Sequence, residues 1–378
     1  MEYKSFISGT SSLPAGRNFG LDLFRVIAEF SVLLAHFMIW VAYAYQIEGM
    51  DFMMLIGATG LQFFFVMSGF LIGGMLLDIT NKGASISRWA EFTTRRMLRV
   101  LPPYLVWLLV LWVFYPPEHP SSVLRFLTFT QNLAWASVEE QWFSVSWSLS
   151  VEFWFYIGFG SLSLLAFSCA GRTGFMSVLA LFIIIPLIAR LAFHDMGGWD
   201  SSIRKVVVFQ LDVIAYGVLL AYALRRYTYI FELRNYLALA GVVIISCAVG
   251  WWWVSERQFD VELAFNKIFI LNIILLGLCL VFPWILYVRC ERTRIVRVIT
   301  WLSDTSYAVY LVHLTVAGWC VWLLKAQQPV LFLLLAIGGS LALGGLSWYF
   351  IEKPILSRRH KIGFTRPTRP VLQPDQQT

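Results

Sequence analysis

The stretch Phe19–Tyr43, FGLDLFRVIAEFSVLLAHFMIWVAY, is apolar along nearly its whole length but carries four ionisable side chains, Asp22, Arg25, Glu29 and His36. It is long enough to cross the roughly 30 Å hydrocarbon core of a bilayer as a helix. The four residues advance by three, four and seven positions, so at about 100° per residue they line one face. Arg25 and His36 point the same way about 16 Å apart along the axis. A polar stripe of this kind cannot face lipid, and buried charges inside a span mark functional positions by default.

Composition extends this reading to the rest of the chain. Hydrophobic residues make up 59% of the 378 and charged residues only 13%. That balance describes a polytopic all-α membrane protein. Windows of spanning length recur ten times, near 19–43, 57–78, 99–116, 147–169, 175–194, 206–224, 236–254, 266–288, 298–324 and 329–351. Most of the 29 lysines and arginines fall in the N-terminal tail, after even-numbered spans and in the C-terminal tail, which predicts cytoplasmic termini. The net charge of +7 is then a topology signal and no indication of nucleic acid. The polar tail 1–18 lacks the pattern of a cleaved signal, residues 19–354 read as a single transmembrane domain, and 355–378 as a basic flexible tail after Pro354. The five cysteines stand singly, with no metal-ligand spacing, and read as packing residues.

Further groups of residues look chemical. Ser68 and Gly69 interrupt the aromatic run Phe63–Phe70, either to let helices pack closely or to offer a polar contact. Arg96 and Arg99, one turn apart before Pro102-Pro103, can hold an anion from two points, a spacing that lipid headgroups or topogenesis also explain. Ser148, Glu152 and Tyr156 share a face at the start of the fourth span, where Glu152 reads as an acid, a base partner or a counter-ion. Asp212 is another buried carboxylate, which neutralises an arginine in the simplest reading. Tyr307, Tyr310 and His313 form a second stripe that begins beside the basic loop 289–297. Its depth argues for binding or structure and against His313 sharing a reaction step with His36.

In this order along the chain, Arg25-x10-His36, Phe64-Phe65-x-x-Ser68-Gly69-Phe70, Arg96-x-x-Arg99-x-x-Pro102, Trp147-Ser-Leu-Ser-Val-Glu152, Ser306-Tyr307 through His313 and Glu352-Lys353-Pro354 resemble acyltransferase family 3. These are the multi-span membrane O-acyltransferases of extracytoplasmic carbohydrates. The resemblance implies a multi-pass enzyme of the bacterial inner membrane with ten core helices, a cytoplasmic acyl-CoA donor, acetyl-CoA first among them, and a periplasmic sugar hydroxyl as acceptor. It implies no permanently bound cofactor and no metal. Some relatives carry an extra span and a C-terminal hydrolase-like domain, so here the membrane unit is expected to act alone. Glu29 departs from the small apolar residues usual between the Arg and the His, either pairing with Arg25 or tuning the site.

The chemistry suggests roles within that frame. An alcohol attacking a thioester needs a base, and histidine, with an ordinary pKa of about 6.5, suits the task, so His36 is expected to take the proton. Glu152 is expected to orient it, and Arg25 to hold the pantetheine arm or stabilise the transition state. Arg96 and Arg99 are placed on the CoA phosphates, with Ser68, Tyr307, Tyr310 and His313 as further donor-binding groups. A covalent acyl-histidine is the other route. The segment Pro116–Ser146 is expected to select the acceptor, with Trp135, Trp142 and Trp147 stacking on sugar rings or anchoring the interface. Lipopolysaccharide, exopolysaccharide, periplasmic glucan and peptidoglycan all suit the family as acceptors, free or lipid-linked. Asp22, Glu29 and Asp212 are read as structural or tuning. The alternative is a transporter or flippase of a sugar-linked lipid, which would share the intramembrane charges but would not release free CoA.

Overall fold

The computed structural model describes residues 17–47, 52–81, 86–137, 139, 141–258, 263–324 and 328–358, and among these it contains helices and no strand. Helices satisfy every backbone group within one segment, as a bilayer demands. The long ones are α1 (Phe19–Tyr45), α2 (Phe52–Asn81) and α3 (Ile86–Phe114). A short α4 (Ser122–Leu127) precedes α5 (Ser146–Phe193), α6 (Leu211–Arg226), α7 (Arg234–Gln258) and α8 (Ala264–Ile285). The chain closes with α9 (Thr293–Leu324), α10 (Pro329–Ser347) and α11 (Lys353–Arg358). π-Helical turns at Trp199–Arg204 and Trp348–Glu352 lead into α6 and α11.

Among the described residues nine helices are long and apolar enough to cross a membrane, and α5, with 48 residues, counts as one of them. A straight helix would separate Phe155 from Phe182 by about 40 Å, yet their rings meet edge-on with centroids 5.6 Å apart. α5 is therefore a hairpin of two antiparallel helices. It folds back at Ala170 and Gly171, where Gly171 takes a φ of 57° that a side chain would resist. The two arms correspond to the separate fourth and fifth spans expected from the sequence, which makes ten candidate spans among the described residues.

Two expectations at the edges change. α3 starts at Ile86, so Arg96 and Arg99 lie within a helix and not in a loop, and Pro102-Pro103 are accommodated inside it. The chain also stays helical past Pro354, because a proline in the first turn of a new helix forfeits no hydrogen bond. The remainder of the expected flexible tail, 359–378, and residues 1–16 of the N-terminal tail lie outside the described residues.

Packing sets where the polar face of α1 ends up. One apolar core surrounds α2, α6 and α8, with Phe65, Phe155 and Phe282 in it. A second surrounds α3 and α9, with Tyr104 of α3 in it, and takes in Phe129 and Phe143 from the segment between α3 and α5. α1 sends Val32 into the first and Leu33 and Phe37 into the second, so it runs along the seam between them. Close approach tightens the first core: a Cβ on Gly69 would stand 2.0 Å from the Ile214 carbonyl oxygen, and one on Gly217 would stand 2.2 Å from that of Val66. The packing reading of Gly69 is therefore correct. Asn18 fixes the start of α1, accepting from the Leu21 amide at 3.1 Å while donating to the Leu286 carbonyl at 3.0 Å.

Asp212 meets the arginine its burial required. Arg190, near the end of α5, donates to both oxygens of Asp212 at 2.6 and 3.2 Å, and Asn272 on α8 donates to Asp212 at 3.0 Å. Arg190 also donates to the Phe209 carbonyl. Three helices are thus tied by one buried ion pair, and removing half of such a pair strands a charge. Asp212→Ala should cost about 3–5 kcal/mol, while the double variant Arg190→Leu/Asp212→Leu should recover most of it. Thermal unfolding of the detergent-solubilised variants measures both, and a double variant no more stable than Asp212→Ala would contradict the stranded-charge account.

Candidate functional site

The polar face of α1 meets polar groups at two depths. At its start, Asp22 accepts from Ser303 on α9 at 2.7 Å and from Arg17 at 3.1 Å. Arg17 also reaches Asp304 at 2.9 Å. Arg25 donates to Ser303 at 3.0 Å, contacts the Met67 sulfur at 3.5 Å and lies 3.8 Å from Asp22. Asp22 is therefore the counter-ion that lets Arg25 and Arg17 enter the bundle.

Close by is a second polar cluster. Ser68 on α2 and Tyr156 on α5 share a hydrogen bond of 2.8 Å, and the Tyr156 hydroxyl donates to Glu152 at 2.8 Å. The Arg96 guanidinium lies 5.9 Å from the centre of the Tyr156 ring, and Arg96 and Arg99 are the cations facing Glu152. Arg99 also faces Arg25 and Glu352. Tyr307 donates to the Val100 carbonyl at 2.8 Å, fixing α9 to α3 beside this cluster. Two arginines, two carboxylates and two hydroxyls thus converge at the level of Arg25.

Three turns further along α1 stands His36. Its Nδ1 is 2.9 Å from Nε2 of His313 on α9, and the rings lie 5.0 Å apart in a stacked arrangement. Nδ1 of His313 is 2.7 Å from the Tyr310 carbonyl oxygen. A carbonyl only accepts, so His313 carries its proton on Nδ1 and offers a bare Nε2. His36 must then donate from Nδ1, which leaves its Nε2 as an unprotonated acceptor. The pair fixes one tautomer of His36 by geometry alone.

His36 lines two cavities. The inner one, of about 60 Å³, is bounded by Val32, Ala58, Leu61, Trp147, Tyr310 and Arg204. The outer cleft, of about 1080 Å³, is flanked by Tyr115, Trp142, Trp319, Asp200, Arg204 and Lys205. The segment Pro116–Ser146 is built into its wall. Trp142 donates to the Tyr115 carbonyl at 2.6 Å, and Asn132 donates to the carbonyls of Trp147 at 3.1 Å and Lys205 at 2.6 Å. Arg204 lies over the Trp147 ring at 4.8 Å and the Trp199 ring at 5.4 Å, and its Nε donates to Asp200 at 2.6 Å. Lys205 also pairs with Asp200. Burial alone would push the Asp200 carboxyl up, but Arg204 and Lys205 outweigh it and hold it down at about 2.

Several placements differ from the sequence expectations. His313, expected toward the opposite end, is the hydrogen-bond partner of His36. α9 already begins at Thr293, so His313 falls deeper in the bundle than its distance from the basic loop suggested. The group on Nδ1 of His36 is therefore His313, and Glu152 bonds Tyr156 instead. Arg25 stays with Asp22 and Ser303, three helical turns from His36. Glu29 does not pair with Arg25: both its carboxylate oxygens are buried without a hydrogen-bond partner among the described residues. Tyr310 bonds Ser148 at 2.8 Å and faces the inner cavity. Trp142 and Trp147 border the cavities, whereas Trp135 is 68% exposed and lines neither. Arg204 and Asp200 drew no attention in the sequence, where WDSSIRK reads as an ordinary polar loop. No group of metal-ligating residues occurs among the described residues.

Comparison with known proteins matches residues 18–349 to the family described as an acyltransferase domain. Nodulation protein 10 of Rhizobium leguminosarum bv. viciae is 25% identical over 91% of this chain and 95% of its own length. The peptidoglycan O-acetyltransferase OatA of Listeria monocytogenes is 24% identical over 79% of this chain. The matched region is 51% of that relative, so the chain spans about half its length. No solved structure matches the chain.

Because its folded-state pKa is depressed, Asp200 stabilises the clamp around Arg204 fully above its unfolded value, near 4, and loses that contribution only as pH falls through about 2. The difference in thermal midpoint between the wild type and Asp200→Asn should therefore stay constant from pH 5 to 8. A difference that shrinks on going from pH 8 to pH 5 would contradict this.

Proposed function

The chain belongs to acyltransferase family 3, and we propose that it carries a short acyl group, acetyl in the first instance, from a coenzyme A thioester to a hydroxyl of a cell-envelope or exported carbohydrate. The observation that carries this reading is the separation of two polar centres along α1. Arg96 and Arg99, at the first of these centres, can take the phosphates of a donor. The histidine pair opens onto a cleft with tryptophans suited to sugar rings. The rise of about 16 Å between Arg25 and His36 is the distance a pantetheine-like arm has to bridge.

In this reading the donor enters from the end where α1 begins and the acceptor from the cleft end. The basic residues around the first end favour a cytoplasmic face for it, and the reading places the protein in a bacterial inner membrane. Ser68 and Tyr307 flank the donor path. The acceptor hydroxyl lies against Nε2 of His36, which takes its proton as the oxygen attacks the thioester carbonyl. His313 holds the imidazole in the tautomer that can do so and spreads the charge it acquires, and it acts as a positioning residue. The proton then goes to the departing thiolate. The inner cavity of about 60 Å³ beside His36 has room for a short acyl group. An envelope glycan agrees with the relative named as a peptidoglycan O-acetyltransferase.

Release of free thiol from acetyl-CoA by the purified protein, with and without an envelope-glycan extract, tests the reading. Thiol release should require the extract and fall about 10²- to 10⁴-fold in His36→Ala. His313→Gln should lower kcat while leaving KM for acetyl-CoA close to wild type. Extract-independent background that is equal in the wild type and His36→Ala, with both proteins folded, would sink the acyl-transfer reading.

A further inference from the structure

We infer that Arg204 is a catalytic residue, its guanidinium donating to the thioester carbonyl oxygen as that oxygen becomes an oxyanion. The inference rests on the acyl-transfer reading and gives it a cation that the polar face of α1 does not supply. Acyl transfer needs a donor preorganised at the place where negative charge develops. Arg25, the cation named by the sequence, is committed to Ser303 and Asp22 about three turns from His36. Arg204 borders both cavities that His36 borders.

Its surroundings are those of a fixed cation. Two indole rings, Trp147 and Trp199, lie against the guanidinium. Asp200 takes Nε and Nη2. With Nε and Nη2 turned to Asp200, Nη1 is the remaining donor nitrogen of a group that is otherwise immobilised. The side chain is 9% exposed, which shields the charge from bulk water and strengthens any contact it makes. Neighbouring Asn132 secures the loop by donating to the carbonyl that follows Arg204, that of Lys205.

The step balances without any further reactant. The sugar oxygen forms a bond to the carbonyl carbon, its proton passes to Nε2 of His36, and the carbonyl π pair moves onto the oxygen held by Nη1. When that pair returns, the carbon–sulfur bond breaks, and the thiolate takes the proton back from His36. Arg204 neither gains nor loses a proton.

Steady-state kinetics with acetyl-CoA and the envelope-glycan extract test this. Arg204→Gln should lower kcat by about 10²- to 10³-fold, with KM for both substrates near wild type, because only the transition state is affected. Arg204→Lys, which keeps the charge but not the planar fork, should fall between the two. Asp200→Asn, which keeps the guanidinium but releases its clamp, should lower kcat less. Methylguanidinium added to Arg204→Ala should restore part of the rate, which a purely structural role for the side chain would not allow. Wild-type kcat in Arg204→Gln, or an unchanged kcat with a raised KM for the glycan, would overturn the assignment while leaving acyl transfer standing. A wild type that transfers nothing to the extract would remove both.

Discussion

A polar side chain buried in a bundle that crosses a membrane has to be answered by another helix, and the architecture follows from how the polar face of α1 is answered. Ser303 and Asp304 on α9 meet its start, and His313 on the same helix meets its far part. α1 and α9 run side by side because their polar residues recur along both. The two apolar cores are packed on either side of that pair. Glu29 is the exception, a carboxylate whose oxygens find no partner among the described residues and for which the surroundings give no physical account.

Much of the fold was legible in the sequence because a bilayer imposes a simple code of length and hydropathy. The ten apolar windows anticipated the helices, including both arms of the α5 hairpin. Boundaries failed where helices extend into the interface: α3 begins more than three turns and α9 about one turn before its apolar window, and the helix Lys353–Arg358 continues past Pro354. Hydropathy does not register those turns, which are polar but still hydrogen-bonded along the backbone.

The site was legible in parts. Residues that share one helix face could be grouped correctly, as with Asp22 and Arg25, or Glu152 and Tyr156, since helical spacing fixes those neighbours. Contacts between helices could not, because they depend on the tilt and stagger of elements far apart in the chain. His313 lies 277 positions from His36, and its depth was misjudged by taking the basic loop as the start of the span. Arg204 was missed for a different reason. It sits on a π-helical turn between spans, where periodicity offers no face to read, and its setting joins Trp199 and Asp200 of that turn to Trp147, distant in the chain.

The hydrogen-bond chain from His36 through His313 to the Tyr310 carbonyl has a direction, with both protons pointing toward the carbonyl, and it stops there, since a carbonyl oxygen has no proton to pass on. A proton picked up by Nε2 of His36 therefore cannot pass onward through His313 and must leave from the same nitrogen. A membrane enzyme with charged groups at both depths of one helix runs the risk of becoming a leak for the proton gradient. Here the blind end of the relay acts as an insulator, since no proton passes beyond the Tyr310 carbonyl by this route.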